Sequence, residues 1–177
     1  MKKLHSMLAA LLVVSVTAPA AAQQPRASQR GTVSQTIHTT NITITYDRPV
    51  ARGRVLFGDG GIVVYDALWT PGANRATILE VSGDVRIADK PVPAGKYSVW
   101  TIPRADQWTF ILNRVWDTQH AIYPGDDDDM LRIAVVPVAG AHMETLAYYF
   151  PVVGPYNAVL HIHWGELVLP IPIDVGR

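Results

Sequence analysis

Two histidines one residue apart, His161 and His163, stand in the apolar run "VLHIHWGELVLP", with the carboxylate of Glu166 close behind. Imidazoles at this spacing can seat a transition metal when further donors join them. In a strand, residues two apart share a face, so His161 and His163 point one way while Leu160, Ile162 and Trp164 point the other. The apolar set must face a core, which turns both imidazoles toward water. A rise of ~3.3 Å per residue puts their Cα atoms roughly 6.5–7 Å apart, close enough to share an ion. A catalytic zinc site takes three protein ligands. Glu166 lies past Gly165, read as a turn, and so falls on another strand. Glu144 comes near His163 if the "METLAYYF" run pairs with the histidine strand. The reading is a solvated strand face with no metal or cofactor; the alternative is a metal site of His161, His163 and Glu144.

Arginine supplies the second chemistry. Arg48, Arg52 and Arg54 fall within seven residues, in a chain with only Lys90 and Lys96 as lysines beyond its first three residues. The guanidinium is a planar fork suited to carboxylate and phosphate. Tyr46, Arg48, Arg54, Trp69 and Asn74 are read together as a ligand-binding set for an anionic small molecule or a sugar. The competing reading is that each guanidinium pins its loop, by bonding loop carbonyls and Asp59 or Asp66.

Other chemistries lack their apparatus. The run "GDDDDM" has four oxygen donors but neither the alternating spacing nor the terminal glutamate of an EF-hand, and reads as a solvated turn. Asp129 is placed to cap the strand that follows or to pair with Arg132. Beyond residue 22 the serines are Ser28, Ser34, Ser82 and Ser98, none in G-x-S-x-G. Cysteine is absent, and so are a phosphate loop and H-E-x-x-H. Trp100, Trp108, Trp116 and Trp164 sit in strand-like runs and read as core. Trp69, beside loop glycines, is the tryptophan expected near a site.

The elements that must position these residues alternate with period two. "ITITYD" sets Ile42, Ile44 and Tyr46 against Thr43, Thr45 and Asp47, a strand rich in β-branched residues. Further strands are read in "ATILEV", "KYSVWTI", "QWTFILN", "MLRIAVV", "METLAYYFPV", "NAVLHIHWG" and "ELVLPIPIDV". Thirteen prolines and thirteen glycines punctuate them. No window carries a convincing helical period, so crossover helices and a parallel sheet are excluded. The fold class is all-β: an antiparallel β-sandwich, or a partly closed barrel, with one long glycine-rich loop from Val50 to Asn74. Long irregular loops in compact domains are often functional.

The start of the chain reads as a leader. A basic "MKK" precedes an apolar stretch that ends in small residues, with an A-x-A pattern before Gln23. Cleavage after Ala22 removes 22 of 177 residues and leaves 155, including 13 basic and 15 acidic ones. Residues 1–22 are a signal peptide, 23–31 a flexible N-terminus and 32–177 a single β-sandwich domain. The near-neutral charge points to no nucleic acid, and the composition to no membrane span after cleavage. The location is periplasmic or secreted.

The motifs "VSQTI", "ITITYDRPVARGRVLFG", "WTPGANRAT", "VPAGKYSVWTIP" and "WTFILN", in this order, resemble a bacterial family of exported proteins named for domain of unknown function 2911 (DUF2911). The family's Tyr, Arg and Pro match Tyr46, Arg48 and Pro49. Its Gly-Arg and Phe-Gly match Gly53, Arg54, Phe57 and Gly58, and its Trp and Gly-Ala-Asn match Trp69 and Gly72–Asn74. The family has an arginine after that tryptophan where Thr70 and Pro71 stand here, and no regular His-x-His in its late strand. The resemblance implies export and a β-rich fold, and no activity. The histidine run also falls short of the cupin metal motif, since only Trp164 and Gly165 separate His163 from Glu166. The expected function is a non-catalytic binding module of the cell envelope, with an anionic small molecule, glycan or envelope protein as partner. The alternatives are a cupin-like metal-dependent enzyme and a structural or chaperone-like envelope protein. A binding module should gather its arginines, Trp69 and Asn74 around one concavity.

Overall fold

The computed structural model describes residues 27–176. The expected leader Met1–Ala22, its expected cleavage point and residues 23–26 of the polar tail lie outside them. Among the described residues, ten strands form two antiparallel sheets: β1 (Gln29–Ile37), β2 (Thr40–Arg48), β3 (Thr77–Val81), β4 (Val85–Ile87), β5 (Lys90–Val92), β6 (Gly95–Ile102), β7 (Trp108–Asn113), β8 (Asp129–Val135), β9 (Val138–Val153) and β10 (Asn157–Asp174). The large sheet runs β1-β2-β3-β6-β7-β8 and the small one β5-β4-β10-β9. Both sheets are open, so the molecule is a sandwich and not a partly closed barrel. Asp126–Asp128 make one turn of 3-10 helix.

The core follows the alternation. Ile42, Ile44 and Tyr46 of β2, Leu79 and Val81 of β3, and Leu160, Ile162 and Trp164 of β10 all turn inward and are buried. Burying such side chains removes apolar surface from water at roughly 25 cal/mol per Å². On the large sheet's outer face, β1 and β2 carry hydroxyls that bond one another, as Ser34 does Thr43 at 2.9 Å. β6 breaks the alternation: Tyr97 to Thr101 are buried without interruption. Trp100, on its outer side, packs with Ala76 and Ile111 beneath Tyr123. Covering by a distant segment is a tertiary effect that local periodicity does not carry.

Three readings are corrected. Gln29–Gly31 belong to β1 and not to a mobile tail, since Arg30 stands opposite Asp47 in the ladder. Gly165 makes no turn. β10 runs through it for 18 residues, with register shifts on either side of Gly165, so Glu166 stays on the same strand as the histidines. Gly165 has φ 59°, and a Cβ there would lie 2.7 Å from Leu56 Cδ1, so a side chain at this bulge is both strained and crowded. Trp116 is not core: it is 39% exposed, with the Lys96 ammonium 5.1 Å from its ring.

β9 is an edge strand of 16 residues, and such edges invite further pairing. The chain leaving β2 blocks its middle. Ala51 N–H donates to Glu144 O at 2.7 Å and Leu146 N–H to Pro49 O at 2.9 Å. Tyr46 Oη accepts the next outward N–H, from Tyr148, at 3.2 Å. This crossing carries the arginine segment from one sheet to the rim of the other.

Candidate functional site

The segment between β2 and β3 is held at both ends. At its start, Arg52 N–H donates to Glu144 Oε1 at 2.7 Å. Arg52 and Gly53 both have positive φ, 53° and 67°, a left-handed pair that turns the chain sharply. For arginine that conformation is strained and persists only when neighbours fix it. The hydrogen bond from His142, then the Arg52 N–H, holds the Glu144 carboxyl below its ordinary range. This anchor is therefore intact at neutral pH and weakens as acid titrates Glu144.

At the other end, Trp69 and Thr101 exchange backbone hydrogen bonds of 2.8 and 2.7 Å. Pro71 O accepts from two buried hydroxyls, Thr77 Oγ1 and Tyr148 Oη, both at 2.8 Å. Thr70 Oγ1 donates to Val99 O at 2.8 Å. A Cβ at Gly72 would lie 2.6 Å from Thr77 Oγ1 and would displace that hydroxyl from Pro71 O. Thr70 and Pro71, which depart from the family pattern, are thus parts of a buried network, and a charged side chain at Thr70 would have no water to reach.

Between these ends opens a cleft of about 330 Å³, walled by Arg52, Arg54, Ile62, Trp69, His120 and Trp164. Its volume falls in the range of small-ligand sites. No carboxylate stands among its described lining residues. Trp69 and Trp164 stack at 6.1 Å and 16° and make its apolar floor. His120 Nδ1–H donates to Asn74 O at 3.2 Å, leaving Nε2 without a partner among the described residues. Arg52 also makes no side-chain hydrogen bond or ion pair among them. A rigid aromatic floor under one unpaired guanidinium can hold an anion, and the His120 Nε2 lone pair can accept from a hydroxyl or amine of the same molecule.

The five residues singled out in the sequence divide. Arg54 and Trp69 line the cleft. Asn74, with φ 60°, sits at the rim and donates to Ser28 O at 3.4 Å. Arg48 does not line it; its stem lies against Gly31, where a Cβ would come within 2.9 Å of Cδ. Tyr46 is buried against Tyr148, ring to ring at 4.5 Å. Arg54 is partly spent on its own loop, with Nε donating to Ala51 O at 2.9 Å and Nη2 to Val50 O at 2.7 Å. Asp66 pairs with Arg104 at 2.6 Å instead of an arginine of the cluster. Arg52 and His120 were not in the sequence-derived set. Arg52 was legible as a member of the cluster, whereas His120 arrives from a connection far along the chain.

The histidine strand is also corrected. His161 is half-buried, but His163 is 4% exposed and faces no solvent. The bulge brings Ala141 over it, and its Nε2 lies 2.9 Å from Ala141 O. Glu144 does not join the imidazoles, because Arg52 N–H and His142 occupy its two oxygens. The neighbour they share is Tyr149. In the aspartate run, Asp126 and Asp129 both bind Arg132, as read for Asp129. Asp47 was placed on an outward polar face, yet it is 1% exposed, its nearest cation Arg30 Nη1 at 3.9 Å.

The chain matches the family model described as "Protein of unknown function (DUF2911)" over residues 28–173. It belongs to this family. The DUF2911 match runs from the cleft residue Ser28 nearly to the end of β10, so all of the sandwich but Asp174 and all of the cleft lining but Ala27 lie within it. Neither the curated proteins nor the solved structures gave a significant match.

Proposed function

We propose that this DUF2911 protein is a non-catalytic binding module of the cell envelope whose cleft takes a small carboxylated or phosphorylated molecule. One observation carries the reading: Arg52, Arg54 and His120 border a cleft of about 330 Å³ with no acidic side chain among its described lining residues. The unpaired Arg52 guanidinium supplies the fork for the anion, and Trp69 gives the rest of the ligand an apolar surface. A larger groove of about 550 Å³ near Tyr156 is lined by Asp89, Asp174 and Arg86, where mixed charge favours no anion. The leader supports export to the periplasm or beyond, and mass spectrometry of the envelope protein is expected to find its N-terminus at or next to Gln23. A species retaining Met1–Ala22 would overturn the export reading.

The arginine comparison tests the site. Arg52→Ala is expected to leave stability within about 0.5 kcal/mol of the parent, as for most surface substitutions, and to abolish the thermal shift given by an anionic ligand. Arg54→Ala removes a donor to two carbonyls and is expected to cost about 1 kcal/mol. Calorimetric scans with a panel of carboxylates, sugar phosphates and acidic glycans read both effects. A panel in which nothing raises the parent midpoint would remove the anion-site reading. A protein ligand is the second reading, favoured by Val55, Ile62, Val64 and Leu68, all at least 40% exposed on the same segment.

A further inference from the structure

We propose that Tyr149, His161 and His163 form a transition-metal site on the outer face of the small sheet, with Tyr149, not a carboxylate, as third ligand. The site lies across β10 from the cleft and does not depend on the cleft reading. The placement follows from register. His161 stands directly opposite Tyr149 in the β9–β10 ladder, and His163 opposite Ala147. Cross-strand partners share a face, and so do residues two apart on one strand. All three side chains therefore project from one patch of the sheet. The Tyr149 hydroxyl oxygen lies 2.9 Å from His163 Nδ1 and 3.4 Å from His161 Nδ1.

These separations suit an ion. With metal–ligand bonds of ~2.0–2.1 Å, two donors on one centre stand ~2.9 Å apart at a right angle and ~3.4 Å apart at the tetrahedral angle. The tautomer of His163 is fixed as well. A carbonyl only accepts, so the 2.9 Å contact with Ala141 O places the proton on Nε2 and turns the Nδ1 lone pair toward Tyr149. An imidazole held from behind by a backbone carbonyl is the usual support of a metal-binding histidine. The backing is built into the fold. Gly140, just before Ala141, admits the ring, since a Cβ there would lie 3.1 Å from Nε2.

In the metal-free state Tyr149 donates to His163 Nδ1 and accepts from His161 Nδ1–H. Metal binding breaks the phenol O–H bond, sends that proton to solvent, forms the metal–oxygen bond and shifts the His161 proton to Nε2. No electron moves. Two imidazoles and a phenolate suit copper(II), zinc or iron(III) over calcium or magnesium. Three protein ligands leave a coordination position open, and His161 and Tyr149 are only half-buried.

Copper(II) chloride is the probe. Chelator-treated protein, without its leader, is titrated by calorimetry and visible absorption. One equivalent is expected to bind with a phenolate-to-copper charge-transfer band. Tyr149→Phe should lose the band while keeping its unfolding midpoint, and His161→Gln should weaken binding by roughly tenfold or more. His142→Gln should change neither, although His142 and Glu144 form the nearby exposed pair at 3.1 Å. No stoichiometric binding, a band that survives in Tyr149→Phe, or loss of binding in His142→Gln but not in His161→Gln would each overturn the assignment.

Discussion

Truncating Trp164 to alanine is expected to remove about 3–5 kcal/mol of stability, the cost of emptying a large aromatic site. The ring is 2% exposed. It stacks on Trp69 and meets Phe57 edge-on at 6.3 Å, and its Nε1 donates to Glu144 O at 3.3 Å. The substitution therefore opens a cavity between the sheets and takes away a donor at the β9 edge. In a domain of this size the midpoint should fall by roughly 6–20 °C. Trp116→Ala is the control, expected to cost at most about 1 kcal/mol, because only a lysine above a half-exposed ring is lost. Scanning calorimetry of both variants decides. Comparable losses would mean that Trp164 is not the joint between the sheets. Trp164 also walls the cleft, so its loss should weaken anion binding in whatever fraction stays folded.

Gly165→Val is expected to be almost as damaging, at about 2–5 kcal/mol. One part is the steric cost of a left-handed residue that carries a branched side chain, roughly 1–2 kcal/mol. The other is overpacking against Leu56, typically about 1–3 kcal/mol. Leu56 lies on the segment that reaches the cleft, so relief of the clash would push that segment outward. Urea unfolding should show a lower midpoint with an unchanged slope. A valine variant within about 0.5 kcal/mol of the parent, the ordinary range for a neutral surface change, would show that the bulge accepts a side chain. The same bulge sets the phase between His163 and Ala141, so the variant should also impair copper binding.

Much of the fold is dictated by alternation alone. Ile42, Ile44 and Tyr46 can reach a common core only in a strand, and the same logic correctly turned Trp164 inward. The absence of helical periodicity excluded a parallel sheet, and the motifs around Tyr46, Gly53 and Trp69 placed the chain in DUF2911. The local role of Arg54 was also legible, because its acceptors, Val50 O and Ala51 O, lie four and three residues away. What alternation could not supply was depth. It sets a side chain on one face or the other, but whether that face is wet depends on segments far away in the chain. His163 and Asp47 were each assigned to an outward face and are nonetheless buried, His163 under the chain around Gly140 and Ala141. Trp100 is buried on the outer side of β6 for the same reason, under Tyr123. Gly165 looked like a turn because glycine after a strand usually ends it. It became a bulge because β9 continues pairing on both sides, which no local signal encodes. The partners at both candidate sites were settled at the same level. His120 enters the cleft from the connection before β8, and Tyr149, not Glu144, meets the histidines. A shift of a few residues in an antiparallel register decides which side chain stands opposite, and that register is fixed by packing over the whole sandwich.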